Sequence, residues 1–241
     1  MLSDLDVVFQ NLHFFFAGSL QTIKVTLVAV SLGILIGLFA GMGRLSPVKT
    51  VKILATCYID FFRGTPLLVQ IFIVYFGFPQ LIDEGQIFLY THFGIGSAMA
   101  STNIPPFVAA ILAFSLNSGA YIGEIFRAGI QSIDKGQREA ALSLGMTPRQ
   151  AMFHVILPQA FRVVVPPLGN EFIAMLKDTS LLTTIGYIEL TRQAQILDST
   201  YFKPFPIFVS AAFFYLVMTL VISRLVDLLE RRLGVHALHQ D

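Results

Sequence analysis

Long apolar runs separated by short polar segments constrain the fold of this chain more than any other feature of its sequence. A helix needs about 20 predominantly apolar residues to cross the hydrocarbon core of a bilayer, and a helix satisfies its own backbone hydrogen bonds there. The sequence predicts five such spans, at about residues 14–42, 53–78, 105–127, 159–177 and 205–227. We therefore expect an all-α membrane protein with five transmembrane helices, in one domain that covers residues 1–241. In the first span, Gly33, Gly37 and Gly41 are four residues apart, a spacing that lets helices approach closely.

The charged residues agree with a membrane location and predict an orientation. Only 13% of the residues are charged, about half the share found in a typical soluble domain. Cytoplasmic loops are enriched in Lys and Arg, and most basic residues in the loops or near the ends of the spans fall on one side of the predicted helices. They are Arg44, Lys49, Lys52, Arg127, Lys135, Arg138, Arg149, Arg162, Arg224, Arg231 and Arg232. This distribution places the N-terminus outside and the C-terminus in the cytoplasm.

A polar insert, QREAALSLGMTPRQAMFHVILP at residues 137–158, separates the third and fourth spans on the predicted cytoplasmic side. Gly145 and Pro148 predict a bend between two short amphipathic helices. The residues predicted to form their apolar side are Ala140, Leu144, Ala151 and Phe153. The pattern alone leaves two interpretations open, a surface gripped by another protein or a helix that lies flat on lipid.

The spacing of residues in this insert resembles the EAA loop of the membrane subunits of bacterial ABC importers. Glu139-Ala140-Ala141 is followed after three residues by Gly145, and after nine more by Val155-Ile156-Leu157-Pro158. Val155 departs from the family pattern, which most often has Ile there, but the exchange conserves hydrophobic character. The resemblance implies a type I importer permease of MetI-like architecture, whose cytoplasmic loop is a coupling (EAA) helix pair that docks on an ATP-binding subunit. The implied coupling residues are Glu139, Ala140, Ala141, Gly145, Leu157 and Pro158.

The resemblance also implies the partners of this chain. In the family, two copies of an ATP-binding subunit, which hold ATP and Mg, drive a pair of permease chains, and an external solute-binding protein delivers substrate. The chain contains no G-x-x-x-x-G-K-[ST] segment with which to cradle phosphates. We therefore expect a transport subunit of the bacterial plasma (inner) membrane that contacts lipid but has no catalytic residue, metal, cofactor or nucleic acid of its own. Its partner permease is either a second copy or a paralogue.

Further segments resemble the polar amino acid branch of these permeases. FFRGTPLLVQ, LGNEFI, KDTSLL and IELTRQAQ, together with the EAA loop, extend the resemblance over most of the chain. They imply uptake of polar amino acids by alternating access, and Glu171 mildly favours a cationic substrate. Another small polar solute is the alternative within this class, and the sequence does not specify which amino acid is carried.

Polar side chains inside the predicted spans are the candidates for the substrate pathway, because charges in lipid are costly and tend to be functional. They are Gln70, Asn117, Ser118, Glu124, Asn170 and Glu171. Hydrogen bonding between helices explains Asn117 and Ser118 equally well. An unpaired Glu171 would be expensive, so we expect it to meet a basic partner, water or the ammonium group of a substrate.

A break is predicted inside the second span. Gly64-Thr65-Pro66 interrupts the helical pattern, and together with Arg63 it is the candidate gate or kink. Asp60 and Arg63 are three residues apart and are predicted to form an ion pair on one helix face. Residues 179–196 are predicted to form an external, partly apolar helix that covers the gate.

Two other classes of function fit the sequence less well. An intramembrane hydrolase needs a nucleophile and a base within reach of each other, but no histidine lies deep inside a predicted span. The histidines are His13, His92, His154, His236 and His239. An ion-driven secondary transporter often contains internal repeats, but no convincing repeat is found, and this class leaves the EAA insert unexplained.

Overall fold

The structure is a computed structural model that describes residues 4–96 and 101–233, so His236 and His239 lie outside it. Helices make up nearly all of the described chain. They are α1 (Asp4–Gln10), α2 (Leu12–Arg44), α3 (Lys49–Gly64), α4 (Leu67–Phe93), α5 (Pro106–Gln131), α6 (Lys135–Ser143), α7 (Pro148–Ile185), α8 (Leu190–Tyr201) and α9 (Pro204–Leu233). Helix α4 contains a π-helical stretch at Ile73–Gly77, and α7 contains one at Met152–Ile156 and ends in a 3₁₀ stretch at Thr179–Ile185.

Five of these helices, α2, α4, α5, α7 and α9, are long and apolar enough to cross a membrane. This confirms the prediction of an all-α protein with five spans. The predicted spans at 14–42 and 205–227 lie within α2 and α9, and the span at 105–127 lies within α5 except for its first residue. The span predicted at 159–177 lies within α7, which is longer because it already begins at Pro148, inside the polar insert.

The second predicted span, at 53–78, is wrong as a single helix. It includes the break between α3 and α4, and the uninterrupted apolar helix runs over Leu67–Phe93 instead. Pro66 has no N–H with which to continue the ladder of hydrogen bonds. Thr65 before it is extended, with ψ 147°, as residues before proline tend to be. Helix α3 is therefore a separate piece, which packs against α2 and α5.

Helices α2 and α5 pack closely because α2 presents glycines to its neighbour. A Cβ atom at Gly37 would lie 2.7 Å from Ile122 Cγ2 and 2.8 Å from the Gly123 nitrogen. A Cβ atom at Gly41 would lie 2.6 Å from the Gly123 oxygen. The predicted close approach at the glycines of the first span is confirmed, and its neighbour is α5.

Each π-helical stretch comes shortly before a proline. Pro79 follows Ile73–Gly77, and Pro158 follows Met152–Ile156. A proline ring clashes with the carbonyl four residues earlier and leaves that carbonyl without an N–H partner, and a local π adjustment accommodates this in membrane helices. Helices α4 and α7 therefore continue through these prolines.

The core consists of two clusters that share α2 and α7. One includes Val25 of α2, Ile71 of α4 and Phe114 of α5, and the other includes Leu176 of α7 and Ile207 of α9. We call the end of the bundle that carries α6 the loop end and the opposite end, which carries α8, the far end. The single helix predicted over 179–196 is wrong, because Gly186 adopts a left-handed φ of 76° that separates the end of α7 from α8.

Candidate functional site

The segment between α5 and α7 folds around a sharp turn. Helix α6 is capped by Asp134, whose Oδ1 accepts the Gly136 N–H at 2.7 Å. After α6 the chain turns at Gly145, whose φ of 85° is a left-handed conformation that favours glycine. Helix α7 then begins with a capping box, in which the side chains of Thr147 and Gln150 each accept the other's backbone N–H. The bend predicted from the sequence is present at this turn.

The apolar side predicted for these two helices is only partly correct. Ala151 is fully buried, but Leu144 is 82% exposed and Phe153 is 56% exposed. The side chains that are buried are those of Ala141, Ala151 and Ile156. Helix α6 packs on the beginning of α7, and Leu144 and Phe153 stay on the surface.

Most of the residues implied to contact an ATPase are on the surface of this segment. The exposed ones are Glu139, Ala140, Gly145 and Pro158. Leu157 is half-buried, and Ala141, only 3% exposed, is in the packed interior. The segment thus presents a helical surface at the loop end, supported from behind by the start of a membrane helix.

A hydrogen-bonded cluster closes the break between α3 and α4. Because residue 66 is proline, the Phe62 carbonyl has no N–H four residues later to accept. Gln70 Nε2 donates to this carbonyl at 2.9 Å and to Thr65 Oγ1 at 2.8 Å. Asn117 Nδ2 of α5 donates to Gln70 Oε1 at 2.9 Å. Both amide side chains are buried, so these two predicted pathway residues hold the break together and fasten it to α5.

The other residues of the predicted gate are less enclosed. The Arg63 guanidinium lies over the Tyr121 ring, 5.5 Å from its centre, within the range of a cation–π contact. A Cβ atom at Gly64 would meet nothing within 4 Å. The predicted ion pair between Asp60 and Arg63 is wrong, because Arg44 comes in from the end of α2 and pairs with Asp60 at 3.4 Å.

Glu124 lies in an ion-pair cluster between α2 and α5. Arg44 Nη1 donates to Glu124 Oε2 at 2.8 Å, and Arg127 Nε donates to the same oxygen at 2.9 Å. Arg127 also donates through its Nη2 atom to the second carboxylate oxygen. Two guanidiniums therefore balance this carboxylate from within the chain.

Glu171 of α7 and Ser118 of α5 meet between the two helices. The buried Ser118 hydroxyl lies beside the Glu171 carboxylate but completes no well-formed hydrogen bond within the described residues. The ion pairs of the described chain do not include Glu171, so the predicted basic partner is not found there. Asn170, the preceding residue, is exposed. Glu171 is thus an acidic group at membrane depth whose charge another molecule can balance.

A buried carboxylate at the far end was not singled out from the sequence. Glu189 Oε1 accepts the Arg192 N–H at 2.7 Å, and Oε2 accepts the Thr191 N–H at 2.9 Å and the Tyr215 hydroxyl at 2.7 Å. Burial raises the pKa of Glu189, and these donors act in the opposite direction. Glu189 caps α8 and connects it to α9. The available signal was an acidic residue directly before a helical segment.

Comparisons with known proteins give consistent results over nearly the whole chain. The family model described as binding-protein-dependent transport system inner membrane component matches residues 33–235. The chain is 39% identical over 217 residues to the L-cystine transport system permease protein TcyB of Bacillus subtilis (strain 168), covering 90% of this chain and 85% of that protein. It is 36% identical over 235 residues to the glutamine transport system permease protein GlnP of Escherichia coli (strain K12), covering 98% and 100%.

Solved structures show the same arrangement of helices. A crystal structure described as an amino acid ABC transporter with histidines matches with a TM-score of 0.83 at 43% identity, over 96% of this chain and 99% of that chain. An inward-facing structure of the MetNI methionine ABC transporter matches with a TM-score of 0.67 at 18% identity, over 92% and 97%. At that identity the likeness concerns the fold, and it confirms the predicted MetI-like architecture.

Proposed function

Because the chain belongs to the family of binding-protein-dependent transport system inner membrane components, we propose that it is the permease subunit of an ATP-driven importer of polar amino acids. Members of this family cross the inner membrane several times and leave ATP hydrolysis to a separate subunit. Relatives named for L-cystine and for glutamine support an amino acid as the substrate. Glu171 favours a cationic one.

The complete transporter contains more than this chain. We infer two permease chains, identical or paralogous, above two ATP-binding subunits that hold ATP and Mg, with an external solute-binding protein on the other side. Concentration of Lys and Arg at the loop end supports a cytoplasmic position for that end and for the C-terminus. Residues 1–241 act as one domain that alternates between inward and outward access.

The observation that most directly supports the function of an ATP-driven permease is the exposed surface of α6 and the Gly145 turn. Helix α7 is continuous from Pro148, next to that turn, to Ile185, and it includes Glu171. A push that an ATPase applies to the turn therefore passes along one helix to the middle of the membrane. The distance from Pro148 to Glu171 corresponds to about 35 Å of helix at 1.5 Å per residue.

The docking role of α6 is tested by purifying the tagged chain from its native membranes in mild detergent. We expect a P-loop ATPase to accompany the wild-type chain and to be lost from Glu139→Arg, because this change reverses an exposed charge on the proposed docking surface. The matched control is Glu84→Arg, which makes the same change at an exposed position of α4. Absence of an ATPase from an otherwise intact wild-type complex would refute the importer function.

We propose that Glu171, with Ser118 and Asn170 beside it, lines the substrate pathway. A carboxylate that binds an ammonium or guanidinium group forms a charge-assisted hydrogen bond of about 1.5–3 kcal/mol. Glu171→Gln is therefore expected to lower uptake of cationic amino acids by roughly tenfold or more and to affect neutral ones less. Uptake into proteoliposomes that contain the complete transporter measures both, with Glu84→Gln as the control. Unchanged uptake and selectivity would remove Glu171 from the pathway.

A further inference from the structure

An apolar groove of about 620 Å³ lies on the outside of the bundle between α2, α7 and α9. Its walls are formed by aliphatic and aromatic side chains from membrane-spanning helices. Representative lining residues are Leu27 and Ile34 of α2, Val165 and Phe172 of α7, and Ile222 and Leu229 of α9. At the bottom of the groove, Gly169 allows α9 to come close, since a Cβ atom there would lie 2.5 Å from Val226 Cγ1.

This groove and the candidate substrate pathway use different faces of α7. The α7 residues that line the groove are Val165, Leu168, Gly169 and Phe172. At 100° per residue, Asn170 and Glu171 lie roughly 100° or more from the middle of that face. A molecule in the groove would therefore contact the outside of α7 and leave the pathway side untouched.

Two guanidiniums flank the loop end of the groove. Arg162 comes three residues before Val165 on α7, and Arg232 comes three residues after Leu229 on α9, so each lies on the groove side of its helix. The two helices run antiparallel. Gly169 of α7 contacts Val226 of α9, and the far-end part of α7, which follows Gly169, meets in one core cluster the part of α9 that precedes Val226. Both arginines therefore lie at the same end.

These two arginines are available to a ligand. Among the residues that the structure describes, no ion pair includes either of them, and both are exposed. The other arginines of α9 differ in this respect. Arg224 pairs with Asp227 at 3.4 Å, and Arg231 lines a separate cavity with these two residues on another face of the helix.

We propose that the groove binds an acyl chain of an anionic phospholipid whose phosphate group lies between Arg162 and Arg232. The apolar lining at membrane depth requires an apolar occupant, and the flanking positive charge selects an anionic headgroup over a zwitterionic one. The Gly145 turn lies next to the beginning of α7. A lipid in this position fills the space between α7 and α9 and therefore stabilises the helix that connects to this turn.

The chain contains no tryptophan, so one introduced tryptophan is a specific fluorescent reporter of the groove. Leu225→Trp places it in the lining, and the full chain is reconstituted in phosphatidylcholine bilayers with increasing fractions of phosphatidylglycerol that has brominated acyl chains. Contact with bromine quenches the fluorescence. The same titration with brominated phosphatidylcholine measures contact without a headgroup charge, and Ile34→Trp reports from α2 if the first variant does not fold.

We expect phosphatidylglycerol to quench at lower mole fractions than phosphatidylcholine, with a preference of roughly fivefold for each guanidinium. Arg162→Gln combined with Arg232→Gln should abolish the preference, and Arg231→Gln, the neighbouring arginine on another face, should retain it. A reporter outside the groove and away from Arg224 and Arg231, Leu216→Trp, should show no preference, because Leu216 is exposed on another face of α9.

Equal quenching by the two lipids would overturn the proposal, because the groove would then be ordinary lipid-facing surface. Absence of quenching by either lipid would also overturn it, because the groove would then be covered by protein, such as a second copy of the chain. A preference that persists in the double arginine variant would refute the assignment of the headgroup site.

Discussion

Replacing Gly145 with valine is expected to reduce ATP-driven uptake by about tenfold or more, since a left-handed residue costs roughly 1–2 kcal/mol without glycine and more with a β-branched side chain. Gly145 has a φ of 85°, and a Cβ atom there would meet nothing within 4 Å. The entire penalty therefore comes from the backbone. Because the turn sets the angle between α6 and α7, its distortion moves the proposed docking surface. Uptake into proteoliposomes and recovery of the ATPase on purification measure the effect.

Gly145→Asn is the matched variant for this prediction. Asparagine adds a side chain of similar size but tolerates the left-handed conformation, so we expect it to retain most of the uptake. If the valine and asparagine variants lose uptake equally, the bulk of the side chain matters and the backbone argument is wrong. If neither loses uptake, the turn has no part in coupling.

Replacing Gly37 with leucine is expected to prevent most molecules of the protein from folding. The new Cβ atom would come within 2.8 Å of both the Ile122 side chain and the Gly123 backbone, and α5 has to move away to admit it. Overpacking of this kind costs about 3 kcal/mol or more where backbone atoms are the obstacle. The fraction of monodisperse protein after detergent extraction, and its thermal unfolding temperature, measure the loss.

Gly85→Leu is the control for the packing prediction, because a Cβ atom at Gly85 of α4 meets nothing within 4 Å. It makes the same chemical change in another apolar helix and should leave the yield nearly unchanged. Gly37→Ala should have an intermediate effect, since only the Cβ atom is added. Normal yield and stability of Gly37→Leu would contradict the close contact between α2 and α5.

Periodic and local features of this chain could be predicted from its sequence. The first span was expected at 14–42 and is found at Leu12–Arg44, because hydrophobicity over such a length allows few alternatives. The glycine spacing in that span and the bend at Gly145 were also expected correctly, since both depend on residues close together in the chain. The roles of the coupling and pathway residues stay predictions.

Contacts between distant residues could not be predicted in the same way. The break at Pro66 follows from proline chemistry, but its repair depends on Asn117, 47 residues away from its partner Gln70. The predicted pair of Asp60 and Arg63 failed for a similar reason. The spacing of Asp60 and Arg63 contains no information about Arg44. Arg44 binds Glu124, which is 80 residues away in the chain, and it also pairs with Asp60.

The cap at Glu189 has a consequence for biosynthesis. Its carboxylate is satisfied partly by its own helix and partly by Tyr215, which the ribosome adds later. Leu190 and Leu197 of α8 likewise pack in a cluster with Ile207 of α9. While the chain is being made, the segment between the last two spans therefore stays incomplete until the final helix has entered the bilayer. A nascent chain that stops before α9 leaves a carboxylate and apolar side chains without their partners.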